Sequence, residues 1–215
     1  MKKLVATLVF FLSFLSFSQE EKFPLIFNEF TVSVNRTTVQ NVNTNGRFGF
    51  GLGISRTWFD ASWVNLVIGL SYDKISFFQK TAYIGHFASY KDITYNLHSV
   101  SIPVMGRFNI GKKVKFFLET GPFVDFYVSG NRKGTFSSIS SGADPNTFMK
   151  KEKYVLSGIN GGVTVGIGTR IPVKSNELLI KLNYLFSFRE LGDGQNNFFN
   201  RYIRLSFGFR LLQKG

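Results

Sequence analysis

Residues Val100–Phe123 read VSIPVMGRFNIGKKVKFFLETGPF, and this stretch decides the fold of the chain. Apolar and polar residues alternate along both halves of the stretch, which is the two-residue period of a β-strand whose faces meet different environments. The short segment Gly111–Lys113 separates the halves, so the stretch predicts a β-hairpin. Charged residues and prolines inside the two strands still require a structural reason.

The same alternation recurs along the rest of the chain and predicts eight strands. They lie at residues 25–35, 46–58, 62–78, 94–110, 114–129, 153–171, 177–190 and 199–212. The connections alternate between short turns and long loops, the longest being 79–93 and 130–152. An even strand number with this alternation predicts an all-β, eight-stranded antiparallel up-and-down transmembrane β-barrel, with periplasmic turns and extracellular loops.

The two faces of the predicted strands differ in side-chain size. One face carries large aliphatic residues and phenylalanine, and the other mixes glycine, small polar residues and long charged residues. The interior of an eight-stranded barrel is only just wide enough to be filled by side chains. We therefore assign the mixed face to the interior and the bulky face to lipid. Because alternation alone does not distinguish inside from outside, a soluble secreted β-protein is the alternative.

The N-terminal residues predict export. Lys2 and Lys3 precede an apolar run over residues 4–17, and a polar segment follows. This layout indicates a signal peptide over residues 1–18, cleaved after Ser18, and leaves a barrel domain over residues 19–215. The chain has no cysteine, which excludes a disulfide framework, thiolate metal sites and a lipid-modified N-terminal cysteine. We expect the exported protein to lie in the outer membrane.

Charged residues on the inward face predict an ionic network that fills the barrel, because buried charges of opposite sign must pair. A three-residue turn in the hairpin pairs Ile110 with Val114 and places Arg107 diagonal to Glu119. A narrow charge-lined channel is the alternative. The predicted inward set is Arg47, Arg107, Lys115, Arg170, Lys181, Arg189, Arg204 and Arg210, with Glu29, Asp73, Glu119, Asp125 and Glu177.

The same register brings the two prolines of the hairpin to one level. It places Pro103 opposite Gly121 and Ile102 opposite Pro122. Each proline lacks the backbone donor that a ladder requires, so we expect a bulge or bend at this level.

The segment SIPVMGRFNIGKKVKFFLETGPFVDFY resembles the hairpin of the Bacteroidetes outer-membrane β-barrel domain family, the PorT-like family. That family has an I-P-L-type strand, a short turn and an FxLExGP strand. Here Ile102–Val104 match the first strand, and Phe117–Glu119 with Gly121 and Pro122 match the second. The resemblance implies an outer-membrane eight-stranded barrel, and a secretion accessory is the role it suggests.

The sequence offers little catalytic or metal-binding chemistry. Its two histidines are His86, in a predicted loop, and His98, on the outward face. Ser99 follows His98 directly, so the two side chains point to opposite faces of a strand. The segment GADPN at residues 142–146 is ordinary turn sequence. We therefore predict a non-enzymatic protein without metal or cofactor, and a lipid-modifying barrel enzyme is the alternative.

The formal charge of +13 raises the question of partners. The basic residues are spread over all the strands and the aromatic residues face lipid, so we expect no nucleic-acid binding. We expect contact with outer-membrane lipid, with anionic glycolipid of the outer leaflet and with an envelope protein partner. The basic residues of the longest loop either meet the glycolipid or form a solvated loop: Arg132, Lys133, Lys150 and Lys151.

Overall fold

A computed structural model describes residues 27–37, 44–59, 63–84, 88–138, 147–148, 152–153, 159–191 and 198–212. The predicted signal peptide, His86, Lys150 and Lys151 lie outside the described residues. The described residues form β1 (Glu29–Thr37), β2 (Thr44–Trp58), β3 (Val64–Ile84), β4 (Ala88–Ile110), β5 (Lys115–Ser138), β6 (Thr147–Phe148), β7 (Glu152–Lys153), β8 (Ile159–Val173), β9 (Asn176–Leu191) and β10 (Phe198–Leu211).

Eight long antiparallel strands close into a barrel, as predicted. Their order is β4-β3-β2-β1-β10-β9-β8-β5, and pairing of β4 with β5 completes the ring. The first and last strands pair directly, from Glu29 opposite Arg210 to Thr37 opposite Tyr202. Closure pairs the backbone groups around the ring, which a barrel surrounded by hydrocarbon requires.

No helix in the described part of the chain has the length and apolar character needed to cross a membrane.

The burial pattern confirms that the bulky apolar face points outward. Along β1, Phe30, Val32 and Val34 are exposed, whereas Glu29 and Asn35 are buried inside the barrel. Equivalent apolar residues on every long strand form a continuous outer band. At the end of the short turns the band finishes in large aromatic side chains, which are typical of a membrane interface: Trp58, Phe59 and Trp63.

Three strands are much longer than the sequence predicts. β3, β4 and β5 have 21, 23 and 24 residues, whereas about 9 to 11 cross a bilayer. The loops predicted at 79–93 and 130–152 are therefore wrong over most of their length. A bulge in β4 between Lys91 and Thr94, and a bulge in β5 opposite His98 and Ser99, break the two-residue period. They conceal the length of both strands in the sequence. Residue 153, predicted to begin the next strand, belongs to β7, and β8 is described from Ile159, with residues 154–158 outside the described part of the chain.

The upper parts of these three strands form a projecting sheet, comprising residues 74–84, 88–98 and 129–138. The outer face of this sheet is charged, whereas the outer face of the band is apolar. Lys80, Lys91 and Lys133 are exposed on it. The two-residue strands β6 and β7 cover the free edge of β5 in this region. The side chains on the inner face of the projecting sheet pack into a buried cluster that we call the apolar plug. It consists of Ile75, Phe77, Ala82, Ile93, Tyr95, Leu97, Phe123, Leu185 and Tyr202.

The register of the β4–β5 hairpin differs from the prediction by two residues. Ile110 pairs with Phe116, not Val114, and Arg107 lies directly opposite Glu119. The turn leaves five residues outside the ladder, 111–115, and Gly111 adopts the positive φ of 111° that favours glycine. The conformation of the turn sets the register of a hairpin. Because the prediction assumed a three-residue turn, every predicted pair between β4 and β5 is shifted by two residues.

The proline level is also corrected. Pro103 pairs with Phe123, not Gly121, and the ladder resumes at Gly106 and Thr120 in the same register. The expected bulge is therefore wrong, and the prolines instead lie at a gap in the β4–β5 pairing. Gly121 is required at this gap because a Cβ atom there would lie 2.0 Å from the carbonyl oxygen of Val104.

We predict that Gly121→Ala destabilises the folded barrel by about 3 kcal/mol or more, because its methyl group meets backbone that cannot move aside. Gly106→Ala is the matched control on the facing strand, since the nearest atom to its Cβ is 3.9 Å away. We expect this control to change stability by less than about 0.5 kcal/mol. Urea unfolding in lipid vesicles measures both, and equal midpoints for the two variants would contradict the assignment.

A second prediction tests the outer band. Leu205 lies midway along β10 and faces outward, so Leu205→Arg places a charge in hydrocarbon and should cost about 2 to 4 kcal/mol in unfolding free energy. Ser129 is exposed on the outer face of the projecting sheet, and Ser129→Arg should leave stability unchanged. If both substitutions have the same effect, the band does not lie in lipid.

Candidate functional site

The barrel interior is organised around Arg107, which is fully buried. Its two Nη atoms bind Glu29 of β1 at 2.5 and 3.0 Å, and its Nε and Nη2 atoms bind Glu119 Oε2 at 3.1 and 3.0 Å. Thr57 donates to Glu29 Oε1 at 2.6 Å, and Asn183 donates to Glu119 Oε1 at 2.7 Å. The planar guanidinium suits this arrangement because its fork of donors matches two carboxylates at once.

Further ion pairs extend this network toward the short-turn end of the barrel. Glu177 lies 3.4 Å from Arg170 Nη1 and 2.9 Å from Arg210 Nη1, and Arg210 Nε lies 3.7 Å from Glu29. Lys181 Nζ is 4.0 Å from Glu119 Oε1. Every long strand therefore contributes at least one residue to the network: Glu29, Thr57, Asn65, Arg107, Glu119, Arg170, Glu177 and Arg210.

A second interior cluster lies nearer the projecting sheet. Asp73 pairs with Arg204 and also accepts hydrogen bonds from Asn35 at 3.1 Å and Tyr202 at 3.4 Å. A cavity of about 40 Å³ lies between the clusters and is lined by residues of both, including Glu119, Lys181 and Arg204. A space of this size accommodates only a few water molecules.

The charges that are deeply buried in the described part of the lumen balance. Both signs are represented by five side chains that are buried or nearly so. Since an unpaired buried charge is costly, this equality indicates that the interior is a self-neutralising filling. The acids are Glu29, Asp73, Glu119, Asp125 and Glu177, and the bases are Arg107, Arg170, Lys181, Arg204 and Arg210.

One glycine makes the network possible. A Cβ atom on Gly166 would lie 2.1 Å from Asn183 Nδ2, the atom that donates to Glu119. The glycines of the alternating strands therefore leave room for the longer polar side chains of their neighbours.

The structure brings together some members of the predicted network and separates others. Arg107, Glu119, Lys181 and Arg210 lie in the first cluster, and Arg204 lies in the second. Asp125 is buried and accepts a hydrogen bond from Ser101, but its Oδ2 atom has no hydrogen-bond partner among the described residues.

Of the three remaining predicted members, two stand apart and one has a side chain that is not described. Lys115 is half-buried at the short-turn end and forms no ion pair with another described residue. The side chain of Arg189 lies outside the described part. Arg47 is exposed on the outer wall, so its inward assignment is wrong. A bulge between Arg47 and Phe50 reverses the face on which it lies.

The loop assignment of Arg132 and Lys133 is wrong, because both lie on β5. Arg132 turns inward and its guanidinium carbon lies 4.7 Å from the centroid of the Tyr90 ring, at the top of the apolar plug. Lys133 points to the outer wall, where it lines a hollow of about 670 Å³.

This hollow crosses the outer faces of β2–β5, and a ladder of polar side chains runs along it, of which Arg47, Asn96 and Asn131 line the hollow itself. Ser76 donates to Asn96 Oδ1 at 2.6 Å, and Asn96 Nδ2 donates to Asn131 Oδ1 at 3.4 Å. Cross-strand pairing places Arg47 beside Ser76 and Lys153 beside Asn131. We call these five residues the outer polar ladder.

His98 lies at the lower edge of the hollow. Its Nδ1 atom is 2.6 Å from the hydroxyl of Tyr72, and the two rings stack with centroids 5.9 Å apart. Ser99 is buried inside the barrel and does not share a face with His98. Ser129 of β5 is the residue opposite His98 on the outer wall. No group of three or more metal-binding side chains lies within the described ranges.

Sequence reasoning missed the neutral members of these sites. Thr57, Asn109 and Asn183 complete the ionic network, and Asn96 and Asn131 form the outer polar ladder. Alternation indicates which face each of them occupies, but the pairing partners depend on the register of non-adjacent strands.

We predict that Glu119→Gln destabilises the barrel by about 3 to 5 kcal/mol, because it leaves the buried guanidinium of Arg107 with one carboxylate instead of two. Lys112→Gln, which removes an exposed charge at the short turn, is the control and should have no effect. The double variant Arg107→Gln/Glu119→Gln should lose less stability than the sum of the single variants. Additive losses in urea unfolding would show that the two residues are not coupled.

Comparison with solved structures finds barrels of similar size at low identity. Neisserial surface protein A is 12% identical with a TM-score of 0.49, and the match covers 85% of this chain and 95% of that protein. The attachment invasion locus protein Ail of Yersinia pestis is 14% identical with a TM-score of 0.42, covering 86% and 100%. The outer membrane enzyme PagL is 13% identical with a TM-score of 0.37, covering 82% and 97%.

A search of the curated proteins gives no significant match. A family defined as the outer membrane protein beta-barrel domain matches residues 14–192, which is most of the chain. This match agrees with the closed eight-stranded barrel and its outward apolar band. The chain belongs to the outer membrane protein beta-barrel domain family.

Proposed function

We propose that this protein is a sealed, non-enzymatic barrel that acts as a structural or partner-binding protein of the outer membrane. The observation that carries the proposal is the filled interior. Buried ion pairs and hydrogen bonds around Arg107 link all eight long strands, and the apolar plug fills the end near the projecting sheet. A barrel filled in this way presents its outer wall and its projecting sheet to partners.

Family membership implies the outer membrane as the location, and we propose that the signal peptide over residues 1–18 directs export. The hairpin residues Ile102–Val104 and Phe117–Pro122 support placement in the PorT-like group. On this basis we propose an accessory role in secretion, with an envelope protein as partner. The projecting sheet is the surface available to that partner, since its outer face is polar and stands beyond the apolar band.

Anionic glycolipid of the outer leaflet is the second proposed partner. Lys133 remains a candidate contact, because it lies on the outer wall. Arg132 does not, because it turns inward onto Tyr90.

A lipid-modifying enzyme is the alternative function, and one observation favours it. His98 and Ser129 face each other across the β4–β5 ladder on the outer wall, directly above the apolar band and at the level of the lipid headgroups. The hydroxyl of Tyr72 beside His98 Nδ1 supplies an orienting partner, as nucleophilic catalysis by serine requires. The narrow channel is the other alternative, and the filled interior argues against it.

The proposed function predicts two negative results that separate it from both alternatives. Purified protein inserted into a planar lipid bilayer should give no steady ionic current, because the ion pairs around Arg107 and the apolar plug fill its interior. Cells that produce the protein should have the same acyl pattern in their outer-membrane lipid as cells with the gene deleted, measured by mass spectrometry.

Steady current in the bilayer would replace the proposal with the channel. A changed acyl pattern that is lost in both His98→Ala and Ser129→Ala would replace it with the enzyme. The matched control for that arm is Ser137→Ala, on the same strand and away from His98. Loss of secretion on gene deletion, with both negative results in place, is the expected positive outcome.

A further inference from the structure

We propose that the hollow on the outer wall binds the phosphate groups of a phosphorylated glycolipid of the outer leaflet. The hollow of about 670 Å³ is lined by outward residues of four strands, β2–β5. This proposal rests on the outer-membrane location in the proposed function, and it specifies the lipid partner and where that partner binds.

The height of the hollow suits a headgroup. On β3 the outward residues Leu70 and Tyr72 belong to the apolar band, and the next two outward residues are Lys74 and Ser76. Outward positions on a strand follow each other at about 7 Å, so the outer polar ladder begins directly where the apolar band ends. Phosphates of a glycolipid lie at this level, immediately above the hydrocarbon region.

The charge of the hollow suits an anion. Arg47, Lys74 and Lys133 line it, and Asp92 is the single acid among its lining residues. Lys153 adds a further cation beside Asn131 at the end of the ladder. Arginine and lysine bind phosphate oxygens through charge-assisted hydrogen bonds, which are stronger than neutral ones.

The neutral residues of the hollow favour a sugar phosphate over a simple anion. Asn96 and Asn131 place amide groups between the cations. An amide group can donate hydrogen bonds to the hydroxyl groups of a sugar and accept hydrogen bonds from them.

The residues beneath the hollow favour a lipid over a soluble ligand. Lys74 Nζ lies 5.8 Å from the centroid of the Phe50 ring, and the Phe50 and Tyr72 rings are 6.4 Å apart. An acyl chain lying on these rings would place its headgroup against Lys74. A phosphate ion in solution would gain nothing from this aromatic surface, which is continuous with the apolar band.

The test titrates detergent-purified protein with diphosphorylated lipid A and counts bound lipid by native mass spectrometry. The variant Lys74→Gln/Lys133→Gln should bind lipid A at least about tenfold more weakly than the unsubstituted protein, as expected for the loss of charged hydrogen bonds. The control Lys112→Gln/Lys113→Gln removes the same charge from the exposed short turn at the other end of the barrel. It should retain the full affinity.

Two further measurements identify the ligand. Lipid A stripped of its phosphates should bind the unsubstituted protein as weakly as intact lipid A binds the double variant. Inorganic phosphate at an equal concentration should not displace lipid A. Equal affinity of the two double variants, tight binding of the stripped lipid or displacement by inorganic phosphate would each overturn the proposal. The bilayer current and the acyl pattern do not depend on whether lipid A binds in the hollow. A failure of the proposed binding site can therefore be distinguished from a failure of the proposed function.

Discussion

The paired burial of Arg107 with two carboxylates is the constraint on which the rest of the barrel depends. Glu119 belongs to the neighbouring strand β5, but Glu29 belongs to β1, three strands away around the ring. The ion pair therefore spans the lumen and joins walls that share no backbone ladder. A buried guanidinium that lost these partners would destabilise the fold by several kcal/mol. The side chains can pair only when the strands close in this order, so closure of the barrel and formation of the ion pairs depend on each other.

The barrel has two kinds of interior because it has two kinds of surroundings. Within the apolar band the outside is lipid, so burying apolar side chains inside gains little, and ion pairs and polar residues fill much of the lumen beside a few apolar side chains such as Phe117. In the projecting sheet the outside is water, and residues such as Phe77 and Tyr95 gain from turning inward, where their rings stack 4.6 Å apart. The change from Asp73 to Ile75 on one strand places this transition within two residues.

Alternation in the sequence was sufficient to predict the strand number, the closed barrel and the face of Arg107 and Glu119. It was insufficient wherever the backbone leaves the two-residue period. A bulge moved Arg47 to the outer wall, one bulge in β4 and one in β5 concealed the length of these strands, and five residues left out of the β4–β5 ladder shifted the pairing of Arg107. Contacts between distant strands, such as that of Asn183 with Glu119, depend on the register of the whole ring, which no single segment encodes.

The charged outer face of the projecting sheet has a consequence for assembly. Lys80, Lys91 and Lys133 stand on the far side of the apolar band from the short turns, so insertion from the side of the short turns must carry them through the hydrocarbon. Each charge costs about 2.5 to 3.5 kcal/mol at the centre of a bilayer. This translocation barrier is absent once the barrel is in place. The barrier to direct insertion into a lipid bilayer is therefore set by the part of the molecule that ends up outside the membrane.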